Sequence, residues 1–180
     1  MKKLLIPSLL AALLVGCSTT PLPEDSTGAP VESRTGGTGV APVVAGGLDA
    51  SGLPRELTDK NSPLSQRSIY FDLDKYDVKS EYQGVVANHA KYLVANPSFK
   101  VLIQGNTDER GSREYNLSLG QKRADAVKRS LTLLGAKEAQ VESVSLGEEK
   151  PKNAGSGEEA WSENRRADIL YRAPDGRGEF

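Results

Sequence analysis

This sequence predicts an α/β domain of the α+β sandwich kind, with helices packed on a mixed sheet in the order β-α-β-α-β-β and a disordered tether in front. Three observations lead there. Every Phe, Trp and Tyr lies at or beyond Tyr70, so the core-forming material is confined to the second part of the chain. Six of the ten prolines fall between residues 18 and 66. Beyond Arg67, runs rich in β-branched and aromatic residues alternate with runs of helical period. At 180 residues with 37% hydrophobic composition, there is room for one ordinary domain plus extensions. A net charge of −1 gives no electrostatic footprint for nucleic acid, and a single cysteine permits no intramolecular disulfide.

The chain opens with Met1-Lys2-Lys3 and the apolar run "LLIPSLLAALLV". Twelve residues are too few for a spanning helix, which needs roughly 20, but they suit the apolar stretch of a signal peptide over residues 1–16. "LVGC" closes it, and this ending resembles the bacterial lipoprotein signal. That resemblance implies cleavage before Cys17 and acylation of its thiol and new amine. Several acyl chains make a stable anchor where one does not. Ser18 after the cysteine, by the same resemblance, implies sorting to the outer membrane, with the remainder of the chain facing the periplasm. Residues 17–66 carry no aromatic and no sustained period, and such a stretch buries too little to offset its ordering entropy. They are expected to form a flexible tether that averages roughly 40 Å end to end.

The domain is expected over residues 67–172. "SIYFDL" predicts a strand, and "DVKSEYQGVVANHAKYLVANP" a helix with Tyr82, Val85, Val86, His89, Tyr92 and Leu93 on its apolar face. "FKVLIQG" predicts the second strand. A second helix follows over about Arg113–Leu134, with Leu117, Ala124, Val127, Leu131 and Leu134 inward and Gly135 ending it. Val141–Gly147 predicts the third strand, and "EEAWSENRRADILYR" a short helical turn and a last strand. The order implies a three-element parallel core, its helices on one face of neighbouring strands. Residues 173–180 are expected to be disordered.

Ligands of such sheets gather outside the carboxyl ends of the strands, where two loops lie, Leu73–Val78 and Asn106–Ser112. His89, the one histidine, falls among apolar positions and is expected in the core. With Cys17 acylated and no cluster of soft ligands, neither nucleophilic catalysis nor a zinc site is expected. No catalytic residue, metal or cofactor is assigned. "GNTDERG" lacks the lysine of a phosphate loop and carries two carboxylates that repel phosphate. A zwitterion suits these charges better. Asp108 follows a strand end, and Asn116, Gly120 and Arg123 share a helix face at i, i+4 and i+7. A carboxylate holds an ammonium, an arginine grips a carboxylate in parallel, and the missing side chain of Gly120 gives a ligand access to the backbone. The bland alternative, Asp108 capping a turn and Arg123 solvated, stands level with this on the residues alone.

"SIYFDLDKYDVKSEY", "GNTDERGSREYNLSLGQKRADAVKRSLTLLGA", "VSLGEEKP" and "WSENRRADILYR", in this order over about residues 66–172, resemble the OmpA-like peptidoglycan-binding domain family. The resemblance implies non-covalent binding of the peptide stem of peptidoglycan at meso-diaminopimelate, whose free end is a zwitterion. Carried over by position, Asp108 holds the ammonium and Arg123, 15 residues on, the carboxylate. Thr107, Asn116 and Leu119 match positions lining the same pocket, and Phe71, Asp72, Lys75, Tyr76 and Asp77 match its first-loop wall. Asn106, Gly120, Arg165 and Arg166 are supporting. Two positions depart from the family pattern, Asn106 where histidine is common and Lys122 where arginine is usual. With the lipid anchor, the resemblance also implies a partner, the periplasmic β-propeller protein TolB, competing for the binding face within the Tol system at division. Other Tol or OmpA-like envelope proteins are further candidates. The alternative within the family is a wall-binding lipoprotein of a secretion or porin-linked complex that does not bind TolB.

Overall fold

The structure, a computed structural model, describes residues 47–180. The expected signal peptide, Cys17 and the tether up to residue 46 lie outside the described residues. Within them run α1 (Arg55–Thr58), β1 (Ser68–Tyr70), α2 (Gln83–Ala95), β2 (Lys100–Asn106), α3 (Arg113–Leu133), β3 (Val141–Gly147), α4 (Glu158–Asn164) and β4 (Arg166–Arg172). A 3-10 turn, Ser80–Tyr82, leads into α2.

The four strands form one mixed sheet in the order β1-β4-β2-β3. β2 and β3 are parallel, and β4 runs antiparallel to both β1 and β2. β1 is therefore not a neighbour of β2, contrary to the expected run of adjacent parallel strands. The crossover through α2 skips one strand position, and β4 fills it. The pleat then puts alternate residues on one face: Ile69 opposite Ala167, Ile103 opposite Ile169, and Val101 between Tyr171 and Val141. All seven are at most 1% exposed. The opposite face stays half-covered at Leu102, Gln104, Asp168 and Leu170, the pattern of a sheet packed on one side only.

Val86, Ala90 and Leu93 of α2 and Ala124, Val127 and Leu131 of α3 close the core over that face. Leu117 and Leu134, expected inward, are 52% and 53% exposed. The buried stripe of α3 runs through Asn116, Gly120, Arg123, Val127 and Leu131, so Leu117 falls about 100° off it. Leu134 lies at the C-cap, beyond the last turn. Gly135 ends α3 at φ +104°, and the N–H groups of Gly135 and Ala136 donate to Thr132 and Leu131, as its left-handed geometry predicts. His89 is fully buried with both ring nitrogens bonded, to the Tyr171 hydroxyl and the Gln66 carbonyl, each at 2.9 Å. Burial holds its pKa down at about 4.

The domain extends past both expected boundaries. Leu53, Leu57 and Leu64, assigned to the tether, are 0%, 1% and 7% exposed and join the core. Asp49 organises the turn before them, its Oδ1 accepting from the N–H groups of Ser51 and Leu53 at 2.9 Å. Arg67 then ties the segment down by donating to the Leu57 carbonyl. Three isolated leucines among polar residues carry no period, which is why composition alone hid them. The tail expected to be disordered folds back instead, with Arg172 bridging Gly178 and Glu179 accepting from the Tyr171 N–H.

Candidate functional site

α3 lies unusually close to β2, and two glycines make this possible. A Cβ on Gly105 would stand 1.9 Å from the Gly120 carbonyl oxygen, and one on Gly120 would stand 2.3 Å from Ser145 Oγ. Gly120 therefore faces the sheet. The expectation that it opens the backbone to a ligand is overturned, because helix and strand fill that space themselves. Its effect on the site is indirect, setting the depth at which Arg123 and Asn116 enter the fold.

Where β2 ends, the chain turns into a loop and then into α3, whose start is capped by Ser112 accepting from the Tyr115 N–H. Around this corner lies a pocket of about 40 Å³ lined by Thr107, Asp108, Arg110, Asn116, Leu119, Arg123 and Arg165, with Leu73, Asp74 and Tyr115 at its rim. Thus Asp108, Arg123, Thr107, Asn116 and Leu119, selected from sequence, converge, and Arg165 joins them. Among the described residues no His, Cys, Asp and Glu cluster suits a metal ion.

Arg123 is completely buried. Its three guanidinium nitrogens donate to backbone carbonyls, Nε to Lys75 at 2.9 Å, Nη1 to Asn106 at 2.9 Å and Nη2 to Asp72 at 3.2 Å. Phe71 lies beneath it, 5.3 Å from ring centre to Cζ. Burial pulls its pKa down to about 10, with Asp108 opposing, so it stays charged at neutral pH. The solvated-arginine alternative is excluded by this burial. Two of its five donors remain for another acceptor.

Asp108 is 4% exposed. Burial alone would raise its pKa, but Arg110 and Arg165 outweigh that and hold the carboxyl below its ordinary range. Arg110 Nη2 lies 2.6 Å and Arg165 Nη1 3.3 Å from Oδ2, while Oδ1 accepts from the Arg110 N–H at 3.2 Å. Arg165 is locked in place, donating through Nε to the Phe71 carbonyl at 3.1 Å and through Nη2 to Glu158 at 2.5 Å. Asn116 donates to Glu148. Thr107 is 3% exposed, and its Oγ1 has no partner among the described residues.

Other sequence-selected residues sit differently. Phe71, Asp72 and Lys75 act on the pocket through Arg123, by ring face and carbonyls. Tyr76 lies outside the lining with Lys122 over its ring at 5.6 Å, and Asp77 is exposed and also outside it. Asn106 contributes its carbonyl to Arg123 while its side chain turns to Gln104 and Asp168. Arg166 bonds Asp168 and the Lys150 carbonyl away from the pocket.

Leu73, Asp74, Arg110 and Tyr115 were not selected from sequence. Asp74 holds φ +56°, a left-handed conformation that aspartate tolerates better than most residues, and it accepts from the Tyr115 hydroxyl. An acidic residue in the turn of "DLDKYD" was the available signal. Arg110, two residues after Asp108 in the chain, was legible as a charge but not as its partner.

The chain resembles known proteins in sequence and in fold. The family model described as OmpA family matches residues 70–165. The peptidoglycan-associated lipoprotein of Pasteurella multocida is 51% identical over 110 residues, covering 60% of this chain and 73% of its own. That of Pseudomonas putida is 40% identical over 162 residues, 90% of this chain and 92% of its own. The crystal structure of the peptidoglycan-associated lipoprotein from Burkholderia pseudomallei superposes with a TM-score of 0.64 at 57% identity, covering 65% of this chain and 99% of that one.

Proposed function

This chain belongs to the OmpA family, alongside the peptidoglycan-associated lipoproteins, and on that premise we propose that it grips peptidoglycan by the meso-diaminopimelate of the peptide stem. Asp108 receives the ammonium of the free end and Arg123 its carboxylate. Thr107 and Asn116 supply neutral hydrogen bonds, and Leu119 packs against the side-chain carbons. The role is binding and not catalysis.

One observation carries the reading: a buried carboxylate and a buried guanidinium of opposite charge line the same small pocket. Charges are seldom taken from water without a purpose, since desolvation costs several kcal/mol per ion. Arg123 spends its three nitrogens on neutral carbonyls and keeps two donors spare. Anchored through an acylated Cys17 in the outer membrane, with the domain in the periplasm, such a protein links membrane to wall. TolB then competes for the same face as part of the Tol system at division. The relatives are named peptidoglycan-associated lipoproteins, which with the signal-like N-terminus supports the link between lipid anchor and wall; TolB and the Tol system rest on the family resemblance.

The test is co-sedimentation with sacculi containing diaminopimelate. Asp108→Asn keeps the shape and removes the charge. Arg123→Lys keeps the charge and removes the planar fork. Each is expected to abolish co-sedimentation in protein that still melts cooperatively. Folded variants that sediment like the wild type would sink the assignment.

A further inference from the structure

We propose that Arg110 is an internal competitor for the ligand's ammonium, and that this competition sets an affinity threshold that a zwitterion clears and a simple amine does not. The inference rests on the diaminopimelate reading of the site.

Two cations meet the same oxygen of Asp108, and they differ. Arg165 is 7% exposed at its side chain and bonded to Phe71 and Glu158 as well, so it belongs to the frame. Arg110 approaches from the rim with a third of its side chain exposed and makes the shorter contact, 2.6 Å. Its guanidinium thus stands where an incoming ammonium has to bind. With Arg110 in place the pocket offers about 40 Å³, room for a few waters. An ammonium that binds Oδ2 therefore competes with the guanidinium for it.

A place for it to go is already built. The Arg110 Cζ lies 4.0 Å from the centre of the Trp161 ring, a stacking distance for a planar cation. The indole is itself fixed, with Nε1 donating to Glu109 at 2.9 Å. Glu158 Oε2 waits 3.8 Å from Arg110 Nη2. By sliding along the indole the guanidinium exchanges Asp108 for Glu158 or Glu109 without losing its stacking. Arg110 Nε, moreover, is buried and unpartnered in the present position, so departure lets it regain a partner. Withdrawal also balances the pocket: two carboxylates, Asp74 and Asp108, then face two guanidiniums, Arg123 and Arg165.

Selectivity follows from what each ligand gains. A plain ammonium merely replaces one cation on Asp108 by another. A zwitterion makes the same exchange and adds a carboxylate to the spare donors of Arg123, a gain the amine cannot match. The internal cation costs both ligands alike, so the ratio between them comes from Arg123, and the competition holds the amine below the affinity at which it binds.

Calorimetry on the full chain in detergent distinguishes the possibilities, using a stem peptide ending in meso-diaminopimelate and the same peptide with lysine in its place, which keeps the ammonium and lacks the carboxylate. Arg110→Ala is expected to tighten the diaminopimelate peptide roughly twofold to fivefold, the scale of a partly exposed ion pair. It is also expected to bring the lysine peptide into measurable range. Arg110→Gln, which keeps a planar group for the indole, is expected to move both in the same direction. Unchanged or weaker binding of the diaminopimelate peptide in both variants, with melting unaltered, overturns the proposal and makes Arg110 a spectator or a ligand contact. If the wild type fails to bind that peptide, it is the underlying assignment of the site that falls.

Discussion

Behind α2, His89 is sealed in the core with both ring nitrogens bonded, and Gln140 nearby donates to the carbonyls of Leu93, Asn96 and Phe99 while accepting from the Lys137 N–H. Around the end of β2, by contrast, Thr107 Oγ1 and Arg110 Nε, both at the pocket, are buried without partners among the described residues, and Arg123 has donors to spare. Both regions take polar groups out of water. The first uses each bond to fix the chain, holding α2 to β4 and to the segment before β1. The second leaves capacity unused, and its groups converge on a pocket. Single unpartnered atoms also occur elsewhere, at Tyr92 Oη in the core and at Arg166 Nη1; several of them facing one pocket, rather than buried charge as such, separates a binding site from a structural network.

The contrast breaks most severely at Arg123, which serves both purposes. Arg123→Ala is expected to cost about 3–5 kcal/mol, because three carbonyls lose their donor at once. Urea unfolding of the variant measures this directly. Burial and the carbonyls of Asp72, Lys75 and Asn106 tie this binding residue to the fold, so losing the wall and losing stability go together here. A loss below about 1 kcal/mol would mean that the carbonyls find water, and that the guanidinium is held for the ligand alone.

His89 sharpens the other side. Its pKa in the fold is about 4, against roughly 6.5 in an unfolded chain. The unfolded state therefore takes up the proton first. Stability is complete above pH 6.5 and declines as pH falls towards 4, by on the order of 3 kcal/mol over the whole interval. As His89 is the one histidine, His89→Phe should flatten this decline between pH 6.5 and 5, above the range of ordinary carboxylates. Urea midpoints across that interval provide the measurement. Sacculus binding at neutral pH should be unaffected, provided the variant is folded. A pH profile as steep as that of the wild type would place the titrating group elsewhere.

What could be read from the sequence divides along similar lines. The limits of β3 and the start of α3 were legible because periodicity and caps are local. The pairing of Asp108 with Arg123 was only half legible: a strand end and a helix face placed them near one edge, the residues alone left a solvated arginine level with it, and the family resemblance tipped the reading. The insertion of β4 between β1 and β2 was not legible, because its pattern of Ala167, Ile169 and Tyr171 fits a central position in any order. Leu53 and Leu57 were missed because their burial depends on a surface formed by distant strands. Gly120 was read as access for a ligand because its neighbour, Gly105, lies across a strand-helix packing that no local pattern reveals. Arg110 was visible as a charge, while its contact with Asp108 depends on how the loop folds.

The smallest expected effect is the cleanest test of the contrast. Thr107 is 3% exposed, and its hydroxyl has no partner within the fold. Its backbone is held independently, with the N–H donating to the Gly147 carbonyl at 2.8 Å. Thr107→Val should therefore leave stability within about 0.5 kcal/mol of wild type or raise it slightly, since no bond is lost on folding. Buried threonines with a partner behave otherwise, because valine then abandons that partner. Binding should respond, with affinity for a diaminopimelate stem peptide falling roughly threefold to tenfold, the value of one neutral hydrogen bond. Calorimetry and thermal melting on the same preparation read both quantities. Lower stability with unchanged affinity would assign the hydroxyl to the fold, and the distinction between spent and unspent capacity would then fail at the residue where it is sharpest.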